Sequence, residues 1–148
     1  MPRGVGVSLE RALLWEKSSV RILIVEDEVR LRVNLVRVLS RRAFVMEQAA
    51  TVAEAKKLLE ERPYDAVLLD WQLPDGTGLD LCMAIRAQNK DVHVIMFTGR
   101  AEHSDRLRAF DAGVDDYVVK DVDIEEIAAR LRAVSRRRGT PTPTSLPA

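Results

Sequence analysis

VRILIVED, residues 20–27, runs six residues rich in β-branched side chains straight into two acids. An apolar run of that length predicts a strand buried on both faces, as parallel sheets require. The pattern recurs at FVMEQ (44–48), DAVLL (65–69), VHVIMF (92–97) and DYVV (116–119), and each run is followed by a helical segment. Leu31, Leu35 and Val38 repeat at helical spacing after the first run. Val52, Ala55 and Leu59 do so after the second, and Ile124, Ile127, Leu131 and Val134 after the last. The remaining helices are expected near 78–88 and 102–112. TVAE (51–54) and DIEE (123–126) each place a capping oxygen three residues before a glutamate, and Gly113 is the expected C-cap of the fourth helix. Alternating strands and helices predict an α/β fold, a parallel sheet covered on both faces, with ligands bound beyond the carboxyl ends of its strands.

A chain of 148 residues suits one domain with a full core, and 47% hydrophobic with 31% charged residues excludes disordered and collagenous classes. Lysine plus arginine equals aspartate plus glutamate at 23 each, so no global charge draws the chain to nucleic acid. Cys82 is the single cysteine, which excludes an internal disulfide or a thiol zinc site. It falls on a helical apolar face with Leu79 and Met83, and a buried core thiol is expected. Residues 1–19 form an N-terminal extension with helical spacing through Leu9, Ala12, Leu13 and Glu16. Glu10, Arg11, Glu16 and Lys17 interrupt it, which argues against a secretory signal or membrane span. The cytoplasm is the expected compartment, with no membrane partner. GTPTPTSLPA (139–148) is expected to be an extended tail or linker.

A parallel sheet gathers its strand exits at one rim. Glu26 and Asp27 follow the first strand, Asp70 the third, Thr98 the fourth and Lys120 the fifth. Each alone has an ordinary reading: acids favour helix starts, a strand-end aspartate can begin a turn, and a lysine can snorkel to water. Together they are far more specific. Three clustered carboxylates repel unless a hard cation binds or protons are taken up. Mg²⁺ suits such oxygen donors, and Lys120 gains an anion in Asp70 or in a phosphoryl group on it.

With ILIVEDE, DAVLLDWQLPDGTGLDLC, VIMFTGR, AFDAGVDDYVVK and EEIAARLRAVSRR in this order, the sequence resembles the receiver domain of two-component response regulators across residues 20–138. The resemblance implies a five-stranded (βα)5, flavodoxin-like sandwich in strand order 2-1-3-4-5. It implies that Asp70 is the phosphoacceptor, Asp27 a direct metal ligand, and Glu26 its acidic neighbour. Gln72 would offer its backbone carbonyl to Mg²⁺ (or Mn²⁺). Thr98, Lys120 and Tyr117 would be the switch hydroxyl, the phosphate-binding lysine and the switch aromatic. A sensor histidine kinase or phosphotransfer protein is the implied partner, and the domain would catalyse only its own phosphorylation and dephosphorylation. Arg106, Asp115, Asp116, Glu126, Arg130, Arg136 and Arg137 resemble the charged dimer face of receivers joined to winged-helix domains. That implies a homodimer and control of transcription, with DNA reached only through an effector domain outside this chain.

The family usually has proline after the lysine. Asp121 stands there instead, so a trans bond is expected, and an added anion near Lys120. Other readings compete: a phosphorylation-independent receiver-like interaction module, a stand-alone receiver without DNA-binding output, and a haloacid dehalogenase-type phosphatase. The phosphatase needs a second aspartate two residues after the first, where Gln72 stands.

Overall fold

The computed structural model describes residues 20–137 except Asn89. The expected extension (1–19) and tail (139–148) lie outside the described residues. Strands β1 (Val20–Val25), β2 (Phe44–Ala49), β3 (Ala66–Leu69), β4 (His93–Thr98) and β5 (Asp116–Val119) alternate with five helices. These are α1 (Val29–Ser40), α2 (Val52–Glu61), α3 (Gly78–Ala87), α4 (His103–Asp111) and α5 (Ile124–Arg137). All five strands pair in parallel in the order β2-β1-β3-β4-β5. Each element falls within one or two residues of its expected place.

Side chains alternate across the sheet, so the strand residues divide between two cores. Leu23, Val25, Val67, Leu69, Val94 and Met96 pack with Val52, Ala55 and Leu59 of α2, Leu81, Cys82 and Ile85 of α3, and Ala109 of α4. Ile22, Ile24, Leu68, Ile95 and Phe97 pack on the other face with Leu35 and Leu39 of α1 and with Ile127, Leu131 and Val134 of α5. Burying each of these large side chains contributes about 1.5–3 kcal/mol. Two expectations need correction. Leu39 rather than Val38 fills the buried position of α1, since four residues from Leu35 is nearer one helical turn. Met83 is 49% exposed, and Cys82 is buried without it.

The caps explain where the helices start. Thr51 Oγ1 accepts from the Glu54 N–H at 3.0 Å, while Glu54 reaches back one residue further than a capping box requires, to the Ala50 N–H at 2.6 Å. The Asp123 carboxylate accepts from the Glu125 N–H at 3.0 Å, while the Glu126 N–H donates to the Asp123 backbone carbonyl at 3.0 Å. Gly113 follows α4 with φ of 108°, a conformation that favours glycine.

The loop after β3 is more structured than a plain turn. Gln72–Leu73 and Gly76–Thr77 form a short antiparallel ribbon, and Asp75 at its tip accepts from the Val52 and Ala53 N–H groups at 2.8 and 3.0 Å. These bonds hold the Asp75 carboxyl below the ordinary aspartate range. Gly78 closes the loop: its N–H donates to the Trp71 carbonyl at 2.7 Å, and a Cβ there would run into the Asp70 carbonyl oxygen and Leu69 Cδ1.

Candidate functional site

The rim at the carboxyl ends of β1, β3, β4 and β5 is built by strand registry. Val25 pairs with Leu69, Leu69 with Met96, and Thr98 with Val119, so the next residues of each strand emerge side by side. Backbone bonds extend the alignment beyond the strands: Asp70 N–H donates to the Val25 carbonyl at 3.1 Å, and Lys120 N–H to the Thr98 carbonyl at 2.9 Å. Residues far apart in sequence therefore meet.

Lys120 Nζ lies 2.7 Å from Asp70 Oδ2 and 3.0 Å from Glu26 Oε1. The lysine at the end of an apolar strand thus has two anions. Burial works against its charge, but the hydrogen bonds to Asp70 and Glu26 outweigh that and hold its pKa above the ordinary value. Glu26 is 3% exposed, and burial pushes its carboxyl up, against the lowering effects of Lys120 and the Glu28 N–H. Asp27 is exposed, and its carboxylate comes together with those of Glu26 and Asp70: one oxygen from each lies within 4.8 Å of the others. The donor set fits a hard cation, since it offers three carboxylates and no soft ligand.

Asp70 is held from both sides. Its Oδ1 accepts from the Trp71 N–H at 2.6 Å, and its Oδ2 faces Lys120. Thr98 is buried at the neighbouring strand exit, where its Oγ1 accepts weakly from the Arg100 N–H at 3.4 Å. Gln72 lies in the ribbon with its side chain exposed. Tyr117 is 7% exposed, and its hydroxyl donates to the Arg100 carbonyl at 2.7 Å. Burial raises its pKa. The bond from Lys120 to Asp121 is trans, as expected. Asp121 is exposed, and among the described residues this added anion makes no ion pair with Lys120, which pairs with Glu26 and Asp70.

Residues 22–132 match the response regulator receiver domain family, which is most of the chain. The chain belongs to that family. This receiver is 39% identical over 131 residues to the transcriptional regulatory protein TcrA of Mycobacterium tuberculosis, covering 88% of this chain and 52% of that one. It is 38% identical over 119 residues to the phosphate regulon transcriptional regulatory protein PhoB of Escherichia coli, covering 79% and 52%. The receiver thus spans about half the length of these relatives. Among solved structures, the non-phosphorylated HemR receiver domain of Leptospira biflexa aligns with a TM-score of 0.73 at 32% identity, covering 88% of this chain and 99% of that one.

Of the charges expected on a dimer face, the structure ties Asp115, Asp116, Glu126 and Arg130 into internal pairs. Arg130 Nη1 lies 2.7 Å from Asp116 Oδ1, and Arg130 Nη2 lies 2.9 Å from Glu126. Asp115, exposed, is tied to Arg86 at 2.7 Å and accepts from the Val94 N–H at 2.9 Å. Arg106 lies over the Tyr117 ring, its Cζ 5.4 Å from the centroid, while Arg136 and Arg137 are exposed in the last turn of α5. No helix among the described residues is long and apolar enough to cross a membrane. Sequence reading missed the roles of Asp75 and Gly78. The signal was present in PDGTG (74–78), a turn whose acid and second glycine have to be placed before their partners are known.

Proposed function

We propose that this receiver is a phosphorylation-driven switch that takes a phosphoryl group onto Asp70 from a phosphohistidine on a sensor histidine kinase or phosphotransfer protein. The observation that carries the reading is Lys120 held against Asp70 and Glu26 inside a three-carboxylate cluster. An Asp70 carboxylate oxygen attacks phosphorus, an O–P bond forms as the P–N bond breaks, and the electron pair returns to the leaving imidazole nitrogen. Glu26, Asp27, Asp70 and the Gln72 backbone carbonyl would hold Mg²⁺ or Mn²⁺, whose charge stabilises the transferring phosphoryl oxygens. Lys120 offsets negative charge on the same group, and the Trp71 N–H orients the carboxylate. Water later cleaves the O–P bond, which releases inorganic phosphate and restores the carboxylate.

The Thr98 hydroxyl then bonds the phosphoryl oxygen, and the Tyr117 position carries the change to the surface of α4, β5 and α5. We infer that this face, with Arg106, Asp115, Asp116, Glu126, Arg130, Arg136 and Arg137, mediates a homodimer by exchanging internal ion pairs for pairs across a two-fold axis. Relatives named as transcriptional regulators support an output in transcription, with DNA contacted by an effector domain outside these residues. A cytoplasmic setting suits the single buried thiol. The exposed Asp121, unpaired with Lys120, favours the switch over a phosphorylation-independent module.

The test is intact-mass measurement after incubation with Mg²⁺ and acetyl phosphate. One added phosphoryl group is expected in the wild type and none in Asp70→Asn. Wild-type protein that gains no mass overturns the proposal, and turnover of phosphate esters would favour the phosphatase instead.

A further inference from the structure

The proposed switch needs a physical route from Asp70 to Tyr117, and a cluster outside the acidic pocket provides one. Trp71, the residue after the phosphoacceptor, is 3% exposed, and its N–H holds Asp70 Oδ1. Two guanidinium groups face its indole ring. Arg100 Cζ is 4.6 Å from the ring centroid and Arg108 Cζ is 5.3 Å. Both approach one carboxylate, Asp105, at 3.6 and 3.9 Å. The backbone carbonyl of the same Arg100 accepts the Tyr117 hydroxyl.

Arg100 therefore touches both ends of the route, its side chain on Trp71 and its carbonyl on Tyr117. Its neighbours Gly99 and Ala101 are exposed, and a Cβ at Gly99 would meet nothing within 4 Å, so local packing does little to fix this loop. A planar guanidinium can stack on an indole while also pairing with a carboxylate, which a lysine ammonium does poorly. Asp105 and Arg108 lie on α4, so the cluster also ties the loop to the helix that borders Tyr117.

We propose that Arg100 is a positioning residue whose guanidinium, stacked on Trp71 and braced by Asp105, fixes its own carbonyl as the acceptor for Tyr117. Displacement of the Asp70–Trp71 backbone is thereby transmitted to the switch aromatic. The inference rests on the phosphorylation reading given above. Coupling of this kind is reciprocal, so loosening the stack alters Tyr117 and the Asp70 site together.

Fluorotyrosine incorporated into a Tyr64→Phe background leaves Tyr117 as the single reporter, because Tyr64 and Tyr117 are the two tyrosines of the chain. Fluorine NMR with and without Mg²⁺ and beryllofluoride then reads its populations inward, buried with its hydroxyl on the Arg100 carbonyl, and outward, turned to solvent. In Arg100→Gln the inward-to-outward ratio should fall roughly fivefold, the factor one partly exposed cation–π contact is worth. Arg100→Lys, which keeps the charge but not the plane, should recover less than half of that loss. Arg108→Gln, at a ring distance of 5.3 Å and with 63% of its side chain exposed, should show a smaller shift in the same direction. Equal Tyr117 populations in the wild type, Arg100→Gln and Trp71→Phe overturn the inference. The intact-mass assay separates this from failure of the switch itself: wild type that gains no phosphoryl group sinks the earlier proposal, whereas normal phosphorylation with unchanged Tyr117 populations sinks only this one.

Discussion

Lys120 carries opposite obligations: it neutralises two acids in the resting pocket and leaves less negative charge for a cation to bind. Lys120→Met in chelator should lower stability by about 1–2 kcal/mol, less than for a fully buried pair because the ammonium is partly exposed. The same variant should bind Mg²⁺ roughly tenfold tighter in a tryptophan-fluorescence titration, since one positive charge has left the site. Unchanged affinity would show that the ammonium and the cation do not compete. The raised pKa of Lys120 means that its ion pairs stabilise the fold below its ordinary value of 10.5 and cease to do so as pH rises through the folded-state value. These residues were legible because charge at the end of an apolar strand is unusual, and three such ends in one parallel sheet, with Thr98 at a fourth, have to meet. Arg100 on Trp71 was not legible, because nothing in sequence spacing specifies which way a loop arginine folds back.

At the scale of elements, the loop between β3 and α3 has the tightest requirements. Gly78→Ala forces a methyl against the Asp70 carbonyl and Leu69, and urea melts should show a loss of about 1–3 kcal/mol, with slower phosphoryl gain at the displaced Asp70. Asp75→Ala unties the ribbon tip from the start of α2, which should lower the melting temperature at neutral pH. Because the Asp75 pKa is depressed, its contribution is present above the ordinary 3.8 and is lost as pH falls through the folded-state value. The gap between wild type and Asp75→Ala should therefore close on acidification, and a gap constant down to the acid unfolding limit would assign the effect to packing instead. Helices and strands themselves were readable from periodicity, since α2 buries all three residues its spacing marks and α5 buries Ile127, Leu131 and Val134, with Ile124 partly buried at its start. Val38 and Met83 were misread because a helical face is wider than a list of spacings, and only the packed neighbours decide its edge.

For the whole molecule, alternation of strand and helix could be read locally, but the strand order could not. It depends on pairings between segments dozens of residues apart, and came only through resemblance to receivers. The charged face poses a related problem, for Arg130 already satisfies Asp116 and Glu126 within one chain, so a dimer must replace these bonds. Light scattering with Mg²⁺ and beryllofluoride should give twice the monomer mass at low salt and the monomer mass near 1 M salt, where the screening length shrinks to about 3 Å. A monomer at every salt concentration would remove the charge-paired dimer. Val20 begins β1 and shares a core with Val134, and Arg137 at the end of α5 lies beside His93, which begins β4. Both ends of the described chain therefore sit at the pole opposite the acids. A circularly permuted protein, with residue 137 joined to residue 20 by a short linker and reopened in the exposed turn at Arg41–Arg42, should fold with its acidic rim undisturbed.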